Sequence, residues 1–243
     1  MDNALYVELS RQMVLRRHMD IIANNIANSD TTGFKVESLM EKTEPAAPAN
    51  TAPGLKPVNF VLDNGLARNF NQGSLKRTGG DFDLALEGQG FFTVTTPEGE
   101  RYTRDGSFTL DPSGQITTSA GDAVMGDGGP IVVDPQRGPV AIAADGTVSQ
   151  AGAPIGRIRT VTFDNLGALE KTGDNLFRNS SNLQPKPAEA RVRQGFLESS
   201  NVSPVIEINR MIEVSRSYQR IAEMIDTGAE LSRRSIERLG RVN

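Results

Sequence analysis

The chain has 243 residues, a formal net charge of −4 at pH 7, no cysteine, no tryptophan and a single histidine. This composition excludes disulfide frameworks, zinc clusters and thiol chemistry, and it lacks the basic surface that nucleic-acid binding requires. No stretch approaches the roughly 20 apolar residues that span a bilayer, and the first residues do not resemble a cleaved secretion signal. We therefore expect no nucleic-acid partner, no membrane insertion and no cleaved leader.

Residues 3–28 predict a helix that is apolar on more than one side. Two runs of apolar residues follow steps of three and four, namely Leu5, Leu9 and Met13, and then Leu15, Met19, Ile22 and Ile26. A second row, Val7, Val14 and Ile21, recurs every seven residues. A helix that packs on one neighbour needs a single apolar stripe, so two rows predict partners on two sides.

The end of this helix carries an unusual group of asparagines in the stretch ANNIANSDTTGFK, residues 23–35. Asn24, Asn25 and Asn28 precede Thr32, Gly33 and Phe34. Asparagine and glycine tolerate the left-handed backbone found where helices end, and this would explain one or two of the residues. It does not explain a cluster that begins a full turn before the exit.

The middle of the chain changes its pattern twice. We predict an extended arm and linker over residues 31–80, because residues 44–57 are rich in Pro, Ala, Thr and Gly. Residues 81–178 alternate short β-branched or aromatic runs with Asp-Gly and Pro-Ser-Gly turns, which predicts an all-β domain. A polar connector should return the chain over residues 179–203.

A second helix should begin at Ser203 and Pro204 and occupy residues 204–243, because Ser is a favoured N-cap and Pro is tolerated at the first helical position. Its apolar and small residues follow a heptad pattern that predicts a coiled-coil seam: Ile208, Met211, Ser215, Tyr218, Ala222, Ile225, Ala229, Ser232, Ile236 and Leu239. The seam could pair only with the first helix of the same chain, or it could pack between chains. The breadth of the first helix favours packing between chains.

No pattern in the chain predicts a catalytic residue, a bound metal or a cofactor. Asp81, Asp83 and Glu87 resemble the paired carboxylates of glycoside hydrolases, but acids are common at strand edges and in turns. The glycine-rich stretches lack the spacing of a phosphate-binding loop or a calcium loop. A cell-wall glycan hydrolase that uses these three acids therefore stays only a minor alternative.

The stretch at residues 23–35 resembles the N-terminal signature of the bacterial flagellar axial proteins, the rod and hook subunits. Eight residues match it, namely Asn24, Asn25, Ala27, Asn28, Thr32, Gly33, Phe34 and Lys35. GGDFDLALEGQGFFTV and RYTRDGSFTLDPSGQI resemble the start of the family's β domain, and QGFLESSNVSPVIEINRMIEVSRSYQ resembles its C-terminal signature. The chain has room for one outer β domain, so it resembles a rod subunit, most closely the proximal one, with the distal one as alternative.

The resemblance implies an α+β fold in which long N- and C-terminal helices pair as a coiled-coil-like layer, with a central all-β domain outside. The helices, residues 1–30 and 204–243, would form the axial core of a helical tube that transmits torque across the periplasm. It implies copies of this chain and other rod proteins as partners, and unfolded export through the flagellar type III apparatus. The asparagines would bridge adjacent subunits. An adaptor that binds one partner without polymerising is a further alternative.

Overall fold

A computed structural model describes residues 2–49 and 58–239 of the chain. The chain divides into two compact units. Unit 1 comprises Met1–Ala27, Glu37–Arg68 and Ser203–Asn243, and unit 2 comprises Asn28–Val36 and Asn69–Val202. In the described part of the chain, no helix combines the length and the apolar character that crossing a membrane requires.

Unit 1 contains two helices and a long β-ribbon. Helix α1 spans Asp2–Ala27 and helix α2 spans Pro204–Leu239. Strands β1 (Glu37–Ala49) and β2 (Val58–Arg68) pair antiparallel, with Glu37 opposite Arg68. Helix α2 begins at Pro204, the residue at which the sequence predicts the helix start.

Two surfaces of α1 are covered inside unit 1. Leu15 and Ile22 form a small apolar core with Val214 of α2. The row of Val7, Val14 and Ile21 is also buried, and α1 contacts both strands of the ribbon. Successive helical residues are turned by 100°, so this second row lies beside the first. The partners on two sides that the sequence predicts are therefore α2 and the ribbon of the same chain.

The fold-class prediction is wrong in describing the two helices as a coiled-coil-like layer. Among the described residues, the apolar core between α1 and α2 is limited to Leu15 and Ile22, Val214 and the partly buried side chains around them. Helix α1 packs on the ribbon as well as on α2, and strands contain more residues than helices. The α+β class does describe the chain: two helices flank a large antiparallel β structure.

The segment with the linker composition, residues 44–57, is in part a strand. Strand β1 continues to Ala49, and Glu44 lies opposite Phe60 of β2. Residues 50–57 lie outside the described part of the chain. Sequence composition could not show this strand, because β pairing depends on the neighbouring strand and on the packing surface more than on local preference.

Unit 2 is built from short antiparallel strands. Their bounds are β3 Leu75–Arg77, β4 Leu84–Glu87, β5 Phe91–Thr96, β6 Gly99–Thr103, β7 Thr109–Leu110, β8 Ile116–Thr117, β9 Ala123–Gly126, β10 Gly129–Pro130, β11 Val140–Ile142, β12 Thr147–Gln150, β13 Ala153–Arg157, β14 Thr160–Thr162, β15 Leu169–Gly173, β16 Leu176–Asn179, β17 Lys186–Pro187, β18 Arg191–Gln194 and β19 Phe196–Glu198. A 3-10 turn covers Leu166–Ala168.

The largest sheet of unit 2 has the strand order β15-β16-β6-β5-β9-β8-β7, and β14 also pairs with β5. Strands β11, β12 and β13 form a separate three-stranded sheet. Two further pairs, β18 with β4 and β19 with β3, join late strands to early ones. Residues 179–203, which the sequence predicts as a connector, thus contain β17, β18 and β19.

Two apolar cores fill unit 2. The larger includes Leu84, Phe92, Ile116 and Val148. The smaller is aromatic: the rings of Phe91 and Phe177 lie 5.9 Å apart, edge to face, and Phe70 packs against both. Edge-to-face contacts favour the ring quadrupoles and add to the stabilisation from apolar burial. Arg104 sits over the ring of Phe91 and so adjoins this core.

Candidate functional site

The chain that follows α1 makes a tight turn in unit 2. Gly33 has φ of +68°, and its N–H donates to the carbonyl of Glu198 at 2.8 Å. A Cβ at this position would lie 2.4 Å from the backbone nitrogen of Asp105, closer than atoms approach in proteins. Thr32 donates to the Asp105 carboxylate at 2.8 Å. The turn therefore requires glycine both for its backbone angle and for its close contact.

The residues after the turn are buried in the same unit. Phe34 is fully buried, and the ammonium group of Lys171 lies 4.2 Å from the centre of its ring. The N–H of Val36 donates to the side chain of Asn201 at 2.8 Å, and Asn201 donates in turn to the carbonyl of Asn69. The signature at residues 32–35 is thus held by contacts within the subunit.

A buried ionic group, which we call the Glu198 cluster, consists of Lys35, Arg104 and Glu198. Glu198 accepts from Lys35 at 2.5 Å and from Arg104 at 3.0 Å, and it also accepts from the backbone N–H of Gly73 at 2.9 Å. Lys35 donates a second bond to the carbonyl of Asn71 at 2.8 Å. The three charged side chains are almost completely shielded from solvent.

The Glu198 cluster holds two cations and one carboxylate, so it carries a net charge of +1. Burial lowers the pKa of Lys35; Glu198 opposes this shift and Arg104 adds to it. Burial also lowers the pKa of Arg104, again against the effect of Glu198. The Nε of Arg104 is buried without a hydrogen-bond partner. Each of these features costs free energy, because a charge in the protein interior is tolerated only when it is paired and hydrogen-bonded.

The lowered pKa of Lys35 predicts a specific dependence of stability on pH. Between this lowered value and 10.5, the unfolded chain holds a proton that the folded chain has released, so the free energy of unfolding rises with pH. The Lys35→Met variant lacks this contribution. We expect the wild-type chain to gain stability relative to Lys35→Met as the pH is raised toward 10.5 in urea titrations. A constant difference between the two proteins would contradict the assignment.

A second polar group lies in unit 1 around Asn25, which is fully buried. The amide of Asn25 donates to the carbonyl of Glu37 at 2.7 Å and accepts from the N–H of Glu37 at 3.0 Å. It also donates to the Glu207 carboxylate at 3.0 Å, which accepts from Arg210 as well. One asparagine therefore joins α1 to the first residue of β1 and to the first turns of α2.

Asn25→Ala should destabilise unit 1 strongly. The change leaves the backbone N–H and carbonyl of Glu37 without these partners and removes one donor from the buried Glu207, so we expect a loss of about 2–3 kcal/mol in the free energy of unfolding. Asn24→Ala is the matched control: Asn24 is exposed, so water can replace contacts of its side chain, and the loss should be less than about 1 kcal/mol. Far-UV circular dichroism in urea measures both. Equal effects would refute the distinction between the two asparagines.

The remaining residues of the N-terminal signature lie nearer the surface. Asn24 and Ala27 are exposed, and Asn28 is half-buried. Asn28 accepts from the hydroxyl and from the N–H of Thr31, both at 3.2 Å. The sequence places the three asparagines in one group, but the structure separates a buried asparagine from two that lie nearer the surface. Spacing contains the signal for this: Asn25 follows Ile22 by three residues and lies on the same buried side.

The predicted seam of α2 matches the contact with α1 only in part. Met211 and Tyr218 pack on α1, but Ile208 is 48% exposed, and Ala222 and Ile225 are half-buried. The side chains of Ile236 and Leu239 lie outside the described part of the structure. Val214 and Ile221, which the heptad pattern missed, also belong to the contact. At the start of α2, Glu207 points inward to Asn25, and Ile208 is turned away.

The three acids that resemble the paired carboxylates of a hydrolase have different local environments. Asp81 is exposed in a turn before β4, Asp83 is half-buried, and Glu87 is exposed at the end of β4. The hydrogen bond and charge of Arg193 lower the pKa of Glu87. A general acid in glycoside hydrolysis needs a raised pKa, so the environment of Glu87 is opposite to the one that this role requires.

Comparison with known proteins identifies the family. The family model "Flagella basal body rod protein" matches residues 5–35, "Flagellar hook protein FlgE/F/G D1 domain" matches 85–150, and "Flagellar basal body rod FlgEFG protein C-terminal" matches 193–238. The flagellar basal-body rod protein FlgF of Caulobacter vibrioides is 57% identical over 245 residues, which cover 100% of both chains. The chain belongs to the flagellar basal-body rod proteins. The predicted family is therefore confirmed.

Other relatives agree with this placement. A FlgF of Mesorhizobium japonicum is 35% identical over 99% of both chains, and a FlgG of Bacillus subtilis is 32% identical over 94% of this chain and 96% of its own. This rod protein is a structural subunit located in the flagellar basal-body rod. The Glu198 cluster takes one residue from each matched region: Lys35 from the first, Arg104 from the second and Glu198 from the third.

Proposed function

We propose that this chain is a proximal rod subunit whose helices pack with neighbouring subunits in the inner layer of a helical tube that transmits torque across the periplasm. Its full-length similarity to a protein named FlgF, at 57% identity, supports the proximal position. The alternative is a distal rod subunit, since proteins named FlgG are also about one-third identical. The partners would be copies of this chain and other rod proteins.

The observation that carries this proposal is the uncovered second half of α2. Every residue from Asp226 to Arg238 whose exposure is described is exposed. At 1.5 Å per residue this segment is about 20 Å long, and an isolated helix of this length is marginal in water. Packing against neighbouring subunits would stabilise it. Ile225, Ile236 and Leu239 of the predicted seam lie within or next to this segment.

Apolar residues on the outer sides of both helices support the same proposal. Tyr6, Leu9 and Met13 follow one face of α1, opposite its buried rows, and all three are exposed. Val205, Ile208 and Ile212 form a similar exposed stripe on α2. Exposed contiguous apolar surface is typical of protein interfaces. We place the predicted assembly contacts on these two stripes, on Ala222, and on Asn24, Ala27 and Asn28 at the end of α1.

Met13→Glu should abolish assembly with little effect on the folded subunit. Met13 is 67% exposed, so a carboxylate there stays in water in the monomer but would be buried without a partner in an apolar subunit contact. We expect loss of motility and unchanged unfolding of the purified monomer. Gln136→Glu is the control, because it adds the same charge at an exposed position of unit 2. Normal motility of the Met13→Glu strain would contradict the proposal that this face of α1 lies in the subunit interface.

We further propose that the subunit is exported unfolded through the flagellar type III apparatus and has no catalytic role. The absence of cysteine is compatible with this route, because a cysteine-free chain cannot be trapped by disulfides in an oxidising compartment. The lowered pKa of Glu87 argues against the hydrolase alternative. A zymogram on cell-wall substrate tests this, and clearing by the wild-type protein but not by a Glu87→Gln variant would favour the enzyme.

Electron microscopy of basal bodies from an in-frame deletion strain tests the rod position. We expect the axial structure to end near the inner-membrane ring. A complete rod without a hook would place the subunit at the distal end. Intact flagella would exclude the rod function.

A further inference from the structure

Unit 2 has one chain boundary at Asn28 and three more that meet at one place. The chain leaves the unit at Val36, returns at Asn69 and leaves again at Val202. Lys35 precedes the first of these boundaries by one residue, Gly73 follows the second by four, and Glu198 precedes the third by four. Lys35 and Gly73 both donate a hydrogen bond to the Glu198 carboxylate, which thereby joins the three segments. Arg104 adds a fourth contact from the interior of the unit.

Backbone bonds around the cluster join the same segments in pairs. The N–H of Gly33 donates to the carbonyl of Glu198, and the N–H of Asn201 donates to the carbonyl of Phe34. The N–H of Asn69 donates to the carbonyl of Val36, and the N–H of Ser199 donates to the carbonyl of Ser74. These bonds connect residues that are distant in the chain, and Glu198 contacts the other two segments beside them through Lys35 and Gly73.

The composition of the Glu198 cluster fits a role in specifying which chain segments pair better than a role in maximal stability. A net charge of +1 and an unpaired Arg104 Nε are unfavourable features that an apolar core would avoid. However, displacement of the segment that carries Glu198 would leave Lys35 and Arg104 as buried cations without a counter-charge, so the cluster penalises that arrangement strongly. The arrangement therefore discriminates between correct and incorrect closure.

We propose that the Glu198 cluster is a clasp that closes unit 2 at three of its four chain boundaries in the isolated subunit, before any neighbouring subunit is bound. With the clasp closed, the residues next to Val36, Asn69 and Val202 have their folded structure already in the isolated subunit. The clasp is a property of the dilute monomer and is independent of the rod function.

Hydrogen exchange of the full-length monomer at low concentration tests the clasp. In the wild-type protein, the amides of Gly33, Ser199 and Asn201 should be protected to a degree similar to those of β5 and β6. In Glu198→Gln, the exchange of these boundary amides should accelerate at least tenfold more than the exchange of β5 and β6. Glu87→Gln, which removes the exposed ion pair with Arg193, is the control and should leave the boundary amides unchanged.

Three results would overturn the proposal. The first is fast exchange of the boundary amides in the wild-type monomer. The second is unchanged exchange in Glu198→Gln. The third is an increase that is uniform over all of unit 2, which would make the cluster a general contributor to stability. If Glu198→Gln does not fold, Lys35→Met serves in its place, because it leaves Arg104 and Glu198 as a balanced pair. It should show the same local pattern with a smaller increase.

Discussion

Glu198→Gln is expected to destabilise unit 2 by about 3–5 kcal/mol, far more than Lys35→Met, although both remove one member of the same ion pair. The glutamine keeps the size of the side chain and can still accept from Gly73, but it leaves Lys35 and Arg104 as two buried cations without a counter-charge. Lys35→Met removes one of those cations. Glu198 then stays paired with Arg104, and the loss should be about 1–2 kcal/mol.

Urea unfolding measures the free energy of unfolding of both variants and so tests whether Glu198→Gln loses more than Lys35→Met. Near-UV circular dichroism can follow unit 2, since Tyr102 is buried there against Phe163. Glu170→Gln, which breaks the exposed pair with Arg178, should change stability by less than about 1 kcal/mol and serves as the control for loss of a surface charge. If Lys35→Met lost as much free energy of unfolding as Glu198→Gln, the net positive charge of the cluster would not determine the loss.

Gly33→Ala is the second change for which we expect a large effect. The new Cβ would stand 2.4 Å from the nitrogen of Asp105 and 2.8 Å from the carbonyl oxygen of Arg104, both of which are backbone atoms that cannot rotate away. The positive φ adds a penalty of its own for a residue with a side chain. We expect a loss of about 3–5 kcal/mol in the free energy of unfolding, with near-UV changes that show displacement of the turn.

Gly79→Ala separates the two causes. Gly79 has a φ of +79°, close to that of Gly33, but a Cβ there would meet no atom within 4 Å. This control should lose only about 1 kcal/mol, which is the conformational penalty alone. Similar losses at the two positions would show that the contact with residues 104 and 105 is unimportant.

Sequence patterns were sufficient for the local features of the chain. Ser203 and Pro204 predict the start of α2, and Gly33 has the left-handed backbone that its place after the helix indicates. Asp-Gly and Pro-Ser-Gly turns between β-branched runs predict the strands of unit 2. Each of these features depends on neighbours within a few residues, so one sequence is enough to show them.

Features that depend on distant residues could not be predicted in this way. Lys35 and Glu198 are 163 residues apart, and nothing near either residue indicates the other. The end of β1 lies in the segment 44–57, whose composition is typical of a linker, and the place of the ribbon on α1 explains why the second apolar row is buried within the subunit. In α2, a hydrogen bond from Asn25 turns Glu207 inward, so the helix face that contacts α1 differs from the heptad expectation at Ile208.

The origin of the Glu198 cluster in three separately matched regions has a consequence for protein engineering. A chimaera that takes its central region from one rod protein and its ends from another combines an Arg104 position from the donor with Lys35 and Glu198 positions from the host. Such a hybrid would fold only where the charges at the three positions remain compatible, even if every junction is placed in a loop. Recombination between relatives of this protein is therefore restricted at three single residues, and a useful library would keep these positions together from one parent.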